Sequence, residues 1–206
     1  MWAKAKFNFH YLLRVDDDYF VCMERLVSEL PVRPKKKLSW GKYHCHAEDL
    51  VYMDESWVLF SEDVINKFLA QDIRSMLCHP FGDQTFTLWI NATGMNLTDF
   101  DDQRLHIWPP AGKLKEFFSM TAVCEQYVGI HGSYPDLMRY LWMNSDDGPK
   151  KLTDITLLRN TCSLPKVFDV NKMGDAYKFT PELCAEKPRW VSMLQSWKGS
   201  EKLQLR

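Results

Sequence analysis

The 206-residue sequence contains no run of eighteen apolar residues, so nothing in it reads as a membrane-spanning helix. Its first residues, Met1-Trp2-Ala3-Lys4-Ala5-Lys6-Phe7, lack the apolar stretch of a secretory signal, and the expectation is an intracellular protein, cytoplasmic or nuclear. No excess of one charge exists either. Twenty-six Lys and Arg face 27 Asp and Glu, a net charge of −1, which excludes a global positive field that would draw in nucleic acid. Internal repeats and low-complexity tracts are missing, which sets aside solenoids and disordered arrays. Cys22, Cys45, Cys78, Cys124, Cys162 and Cys184 include no closely spaced pair, and in a reducing compartment they read mostly as buried thiols. The sequons at Asn91 and Asn96 matter only on a secreted chain and are read as chance.

What is present is the composition of a folded protein. Hydrophobic residues make up 46% and aromatics 14%, with eight Trp, enough to build a sizeable core. Trp2 to Leu13 is expected to open with a short helix closed by the acidic run Asp16-Asp17-Asp18. Tyr19 to Met23 is β-prone, Leu30-Pro31-Val32-Arg33-Pro34 breaks any element, and Leu38-Ser39-Trp40 returns as a second strand. From His44, the positions Ala47, Leu50 and Val51 fit a helix with Glu48 and Asp49 in its first turn. Trp57 to Phe60 reads as a strand covered on both faces, followed by a helix capped by Ser61 and stopped by Pro80. Thr85 to Ile90 is rich in β-formers and is expected as a strand, and Asn96 to Gln103 as a polar loop. Gly112 to Ala122 reads as helix, Gln126 to His131 as strand and Tyr134 to Met143 as helix. This alternation predicts an α/β domain, a mixed sheet flanked by helices, over residues 1–147. Residues 148–206 form a C-terminal helical extension on the same domain, ending in an amphipathic stretch, Arg189 to Leu203.

The segment with the clearest chemistry is His44-Cys45-His46-Ala47-Glu48. A histidine two residues before a glutamate at a helix start is half of a zinc deaminase motif. The imidazole binds zinc, and the glutamate carries a proton from the metal-bound water to the leaving amine.

Residues around it extend the likeness: Phe7-x-Phe9, the acidic loop, Cys22 and Glu24, Ser39-Trp40, and later Val64-x-x-x-Phe68-Leu69-Ala70, Thr85 to Asn91 and Asp101-Asp102-Gln103. Lys113-Leu114-Lys115, Tyr127 to His131, and Ser133-Tyr134-x-x-Leu137 to Trp142 follow in order. Over about residues 5 to 145 the chain resembles the AID/APOBEC family of polynucleotide cytidine deaminases. The resemblance implies a cytidine-deaminase-like, five-stranded mixed sheet flanked by helices. It also implies zinc on His46 and catalysis by Glu48. Where that family places S-P-C-x-x-C, however, this chain has Phe60-Ser61-Glu62-Asp63, without the thiolates that supply most of the charge holding zinc.

Three readings follow, the blandest being an unrelated α/β protein in which His46 and Glu48 are incidental. In the first, the chain is a catalytically silent deaminase fold that serves as an interaction module for a protein partner or single-stranded nucleic acid. In the second, it is an active zinc-dependent cytidine deaminase whose site is rebuilt from His46, Cys78 or His79 and an acidic ligand, Glu62 or Asp63, with Glu48 as the proton carrier. For binding, the candidates are Arg14, the basic run Arg33-Pro34-Lys35-Lys36-Lys37 as an electrostatic patch, and Trp89 as a stacking surface. Asp16-Asp17-Asp18 is expected to repel phosphate.

Overall fold

The computed structural model describes residues 2–46, 50–106, 117, 119–145, 154–162 and 181–185. In chain order the elements are α1 (Trp2–Lys6), β1 (Tyr11–Val15), β2 (Phe20–Val21), α2 (Met23–Glu29) with a 3-10 turn over Leu30–Val32, β3 (Leu38–His46), β4 (Leu50–Ser61), α3 (Glu62–Leu69) and β5 (Leu77–Cys78). They continue as α4 (Gly82–Ala92), β6 (Thr98–Asp101), β7 (Leu105–His106), α5 (Val123–Gln126), β8 (Gly129–Ile130), α6 (Pro135–Asn144), β9 (Thr156–Leu157), α7 (Leu158–Thr161) and β10 (Glu182–Leu183).

The expected α/β architecture with a five-stranded mixed sheet is present, in the order β1-β4-β3-β6-β9. β1 runs antiparallel to β4, with Leu12 opposite Phe60 and Val15 opposite Trp57. β3 runs parallel to β6, with Trp40 opposite Phe100, and β6 is antiparallel to β9. A smaller sheet joins β2, β8 and β7, and β5 pairs with β10.

The period-two pattern of the strands explains where the core lies. Leu38, Trp40, Trp57 and Leu59 belong to one buried cluster with Tyr19, Leu26, Leu105 and Val128. There the Trp40 and Trp57 rings meet edge to face at 5.4 Å. Val58 and Phe60 are buried as well, so β4 is covered on both faces, as its apolar run predicts. A second cluster gathers Phe20, Phe117, Val123 and Ile130 with Leu137 and Leu141 of α6.

Charge is buried beside this core. Glu29 is 1% exposed and is gripped by Arg25, Arg33 and Arg104, the last through both carboxylate oxygens. Arg104 also reaches Asp102, which accepts the Trp40 indole N–H at 3.0 Å. At the edge of the sheet, the Ser61 hydroxyl accepts the Leu38 N–H and donates to Asp63, whose carboxylate takes the Lys37 N–H. These bonds fix the entry to β3 against the exit of β4.

The chain divides into two units. The first comprises residues 1–43, 54–65 and 96–163, the second 44–53, 66–95 and 164–206. Thr156–Leu157, within the expected C-terminal extension, contributes β9 to the main sheet.

Several local expectations are corrected. Thr85 to Ile90 is helical, within α4. Its buried residues Gln84, Thr85, Thr87 and Leu88 recur at three- and four-residue intervals. Thr87 also returns its hydroxyl to the Asp83 carbonyl, and packing outweighs the small helical penalty of β-branched residues. His44 to His46 continues β3 instead of opening a helix. The His44 ring stacks on Tyr52 of β4 at 4.8 Å, an interaction between facing strands that a helix would break. The N-terminal helix is only α1, and β1 begins at Tyr11. The strand expected over Tyr19 to Met23 shrinks to β2, since Met23 opens α2. β6 occupies part of the expected loop at Asn96 to Gln103. The helix after Ser61 ends at Leu69 because Asp72 caps a separate turn, accepting from Arg74 and Ser75. The helix expected over Gly112 to Ala122 falls mainly, and the one over Arg189 to Leu203 entirely, outside the described residues.

The cysteines are also reinterpreted. None is free. Cys22 bonds to Cys124 within the first unit and Cys78 to Cys184 within the second. Each pairs residues about a hundred positions apart, a relation that spacing in sequence does not reveal. Among the described residues no helix is long and apolar enough to cross a membrane.

Candidate docking groove

Of the His and Cys residues singled out as zinc ligands, Cys78 and His79 are the ones whose side chains are described, and both are engaged elsewhere. His46 closes β3, and Glu48 lies outside the described residues. Cys78 is unavailable as a thiolate ligand because its sulfur is bonded to Cys184. His79 is buried, and its Nδ1 accepts the Phe81 N–H at 3.2 Å while its own backbone N–H donates to Thr85.

The basic and aromatic candidates separate in the same way. Arg33 is not on a binding surface: it is buried against Glu29, with its guanidinium 4.9 Å from the centre of the Trp40 ring. Lys35, Lys36 and Lys37 are exposed on the turn before β3, where Lys37 adopts a positive φ of 55°. Arg14 pairs with Asp16 at 2.7 Å. Trp89 is half-buried on α4 and donates its indole N–H to the Leu77 carbonyl, a local packing contact.

A different group converges in the first unit. The loop Asp16 to Asp18 turns so that Tyr19 N–H reaches the Asp16 carbonyl, and the Asp18 carbonyl accepts the Ser133 N–H at 2.7 Å. This ties the acidic loop to the segment leaving β8. His131 is placed by its backbone bond to the His106 carbonyl and by the stacking of its ring on Tyr19, centroids 5.7 Å apart. Its Nε2 then lies 3.3 Å from Asp18 and 3.8 Å from Asp16. One ligand atom from each of Asp16, Asp18 and His131 falls within 4.8 Å of the others. Gly129 permits this close approach, since a Cβ there would overlap the Tyr19 ring and come within 2.9 Å of the Phe20 carbonyl.

Opposite the acidic loop stands α6. Pro135 begins it with a preset φ, Asp136 favours its positive end, and Leu137 and Leu141, one turn apart, anchor its inner face. Apolar residues overrun that stripe: Tyr134 just before the helix, and Trp142 and Met143 on it, are 63%, 79% and 69% exposed. Between loop and helix lies an open cavity of about 770 Å³, lined by Asp16 to Asp18, His131, Tyr134, Met138, Arg139 and Trp142 among others. Trp142 also borders a second concavity of about 340 Å³, with Met23 and the Cys22–Cys124 pair.

The groove can therefore cover apolar side chains and hold positive charge at one rim. Sequence reasoning placed Tyr134 to Met143 correctly as a helix but did not single out Trp142 or His131. The available signal was an excess of apolar residues over what one buried stripe needs. No family model, curated protein or solved structure matches the chain.

Proposed function

We propose that the chain is a non-catalytic interaction module that engages a protein partner through the groove between the acidic loop and α6. One observation carries this reading. A helix anchored by Leu137 and Leu141 leaves Trp142 and Tyr134 outward on the lining of an open cavity, with Met143 exposed next to Trp142 in the chain, an apolar exposure that costs solubility unless a partner covers it. Tryptophan and tyrosine concentrate binding energy at interfaces. The carboxylates beside them disfavour a polyphosphate ligand, which makes a protein partner a better match than nucleic acid.

The test is proximity labelling in cells with the wild-type chain and with Trp142→Glu combined with Met143→Glu. Both positions are exposed, so the variant should keep the wild-type thermal transition while losing a defined set of labelled proteins. An unchanged set in a folded variant refutes the groove as a docking surface. One zinc per purified chain together with conversion of cytosine to uracil in single-stranded substrate would refute the non-catalytic reading.

A further inference from the structure

We infer that the groove selects a partner segment bearing a Lys or Arg side chain next to an apolar one, with the cation seated at Asp16 to Asp18 and the apolar group on Trp142. This inference rests on the docking reading above and gives it a chemistry. Charge complementarity decides the occupant. The lining carries three carboxylates against the single guanidinium of Arg139; Arg14 pairs with Asp16, and the His131 ring stands beside Asp18 and Asp16, so acidic groups still outnumber the permanent cations at this rim. Asp17 is exposed, while Asp16 and Asp18 are half-buried, where charges are less screened than on open surface. The rim is also fixed before binding. The Ser133 N–H holds the Asp18 carbonyl, and the stack on Tyr19 fixes His131 between the two carboxylates, so little conformational entropy is lost when a cation arrives.

The apolar half is equally specific in place. Trp142 lines both concavities, is 79% exposed and shares the larger one with the acidic rim, so one segment can set a hydrocarbon stem on the indole and its charged head on the aspartates. An acidic segment would meet like charge and leave it unpaired, which makes the rim a filter as well as an attractor.

The experiment uses the full chain and two labelled synthetic peptides of the same apolar pattern, one alternating Leu with Lys and one Leu with Glu, read by fluorescence anisotropy. The Lys peptide should bind at least tenfold more tightly, with affinity falling as salt rises. Asp16→Asn with Asp18→Asn should weaken it about tenfold and flatten the salt dependence. Arg139→Ala should tighten it, and Trp142→Ala should weaken both peptides alike. Equal binding of the two peptides, or no response to the aspartate pair, overturns the inference. So does stoichiometric binding of ZnCl2 or CaCl2 that the same pair abolishes, since the carboxylates would then be metal ligands. Self-association lost on Trp142→Ala overturns it too, because the occupant would be a second copy. If Trp142→Glu with Met143→Glu removes the cellular partner while the aspartate pair does not, the groove stands and only the cation assignment fails.

Discussion

Arg104 clasps Glu29 through two N–H···O bonds of 2.6 and 2.9 Å, although the two residues lie 75 positions apart and the carboxylate is sealed from solvent. Arg33 and Arg25 complete the cluster, which ties α2 to the loop that follows β6. Removing the single anion would leave three neighbouring guanidinium groups without their shared partner. Glu29→Gln is expected to cost about 3 kcal/mol, read as a lower denaturant midpoint at unchanged slope.

The same cluster gives the fold a pH dependence. Burial alone raises the Glu29 carboxyl, but the bonds and charges of Arg104 and Arg33 outweigh it and hold the group below the usual glutamate range. A carboxyl depressed in the folded state contributes stability in full above its unfolded value near 4.5, and that contribution is lost as pH falls through the lower folded value. Thermal melts between pH 6 and about pH 2 should show a steeper acid loss for the wild type than for Glu29→Gln. Parallel curves would assign the acid sensitivity to other groups.

The Cys22–Cys124 bond closes a loop of 102 residues in the first unit. A link over that span restricts the unfolded chain strongly, so replacing both cysteines by serine should cost about 2 to 5 kcal/mol. Non-reducing mass spectrometry of the denatured wild type should detect no reactive thiol. Full alkylation without a reductant would contradict the paired state.

Gly129 should not tolerate a side chain. Gly129→Ala drives a methyl group into Tyr19 and is expected to cost about 1 to 3 kcal/mol. Because Tyr19 supports the His131 ring, the variant should also weaken groove binding, whereas a loss confined to stability would separate the stack from recognition.

Gln84 is fully buried, and among the described residues neither its amide oxygen nor its nitrogen has a hydrogen-bond partner. Gln84→Met keeps the volume and removes the unpaired polar atoms, so stability should rise by about 1 kcal/mol in chemical denaturation.

The elements legible in the sequence are those whose pattern and environment agree. Trp57 to Phe60 is apolar throughout and lies between covered faces, Ser61 does mark the passage into α3, and Tyr134 to Met143 is a helix. Thr85 to Ile90 was misleading because its β-formers state a preference worth little beside the burial of Leu88 and the side-chain bonds of Thr85, Thr87 and Trp89. The His44 to Glu48 spacing pointed to a helix start, yet strand pairing carries the chain through His46. For the groove, the acidic loop is visible in the sequence as charge, and its functional reading there is repulsion of phosphate. Its meeting with His131 and α6 depends on contacts between residues more than a hundred positions apart.

The parallel pairing of Leu38 with Thr98, and of Phe100 with Leu157 beyond it, has a kinetic corollary. During synthesis β1, β3 and β4 emerge early, but their sheet waits for β6 and is finished only once residue 157 has left the ribosome. Until β6 arrives the edge of β3 is open to incorrect pairing, and from then until residue 157 the edge of β6 is. Folding should therefore be slow for a chain of this size, limited by closure of long loops, and sensitive to chaperones that shield those edges.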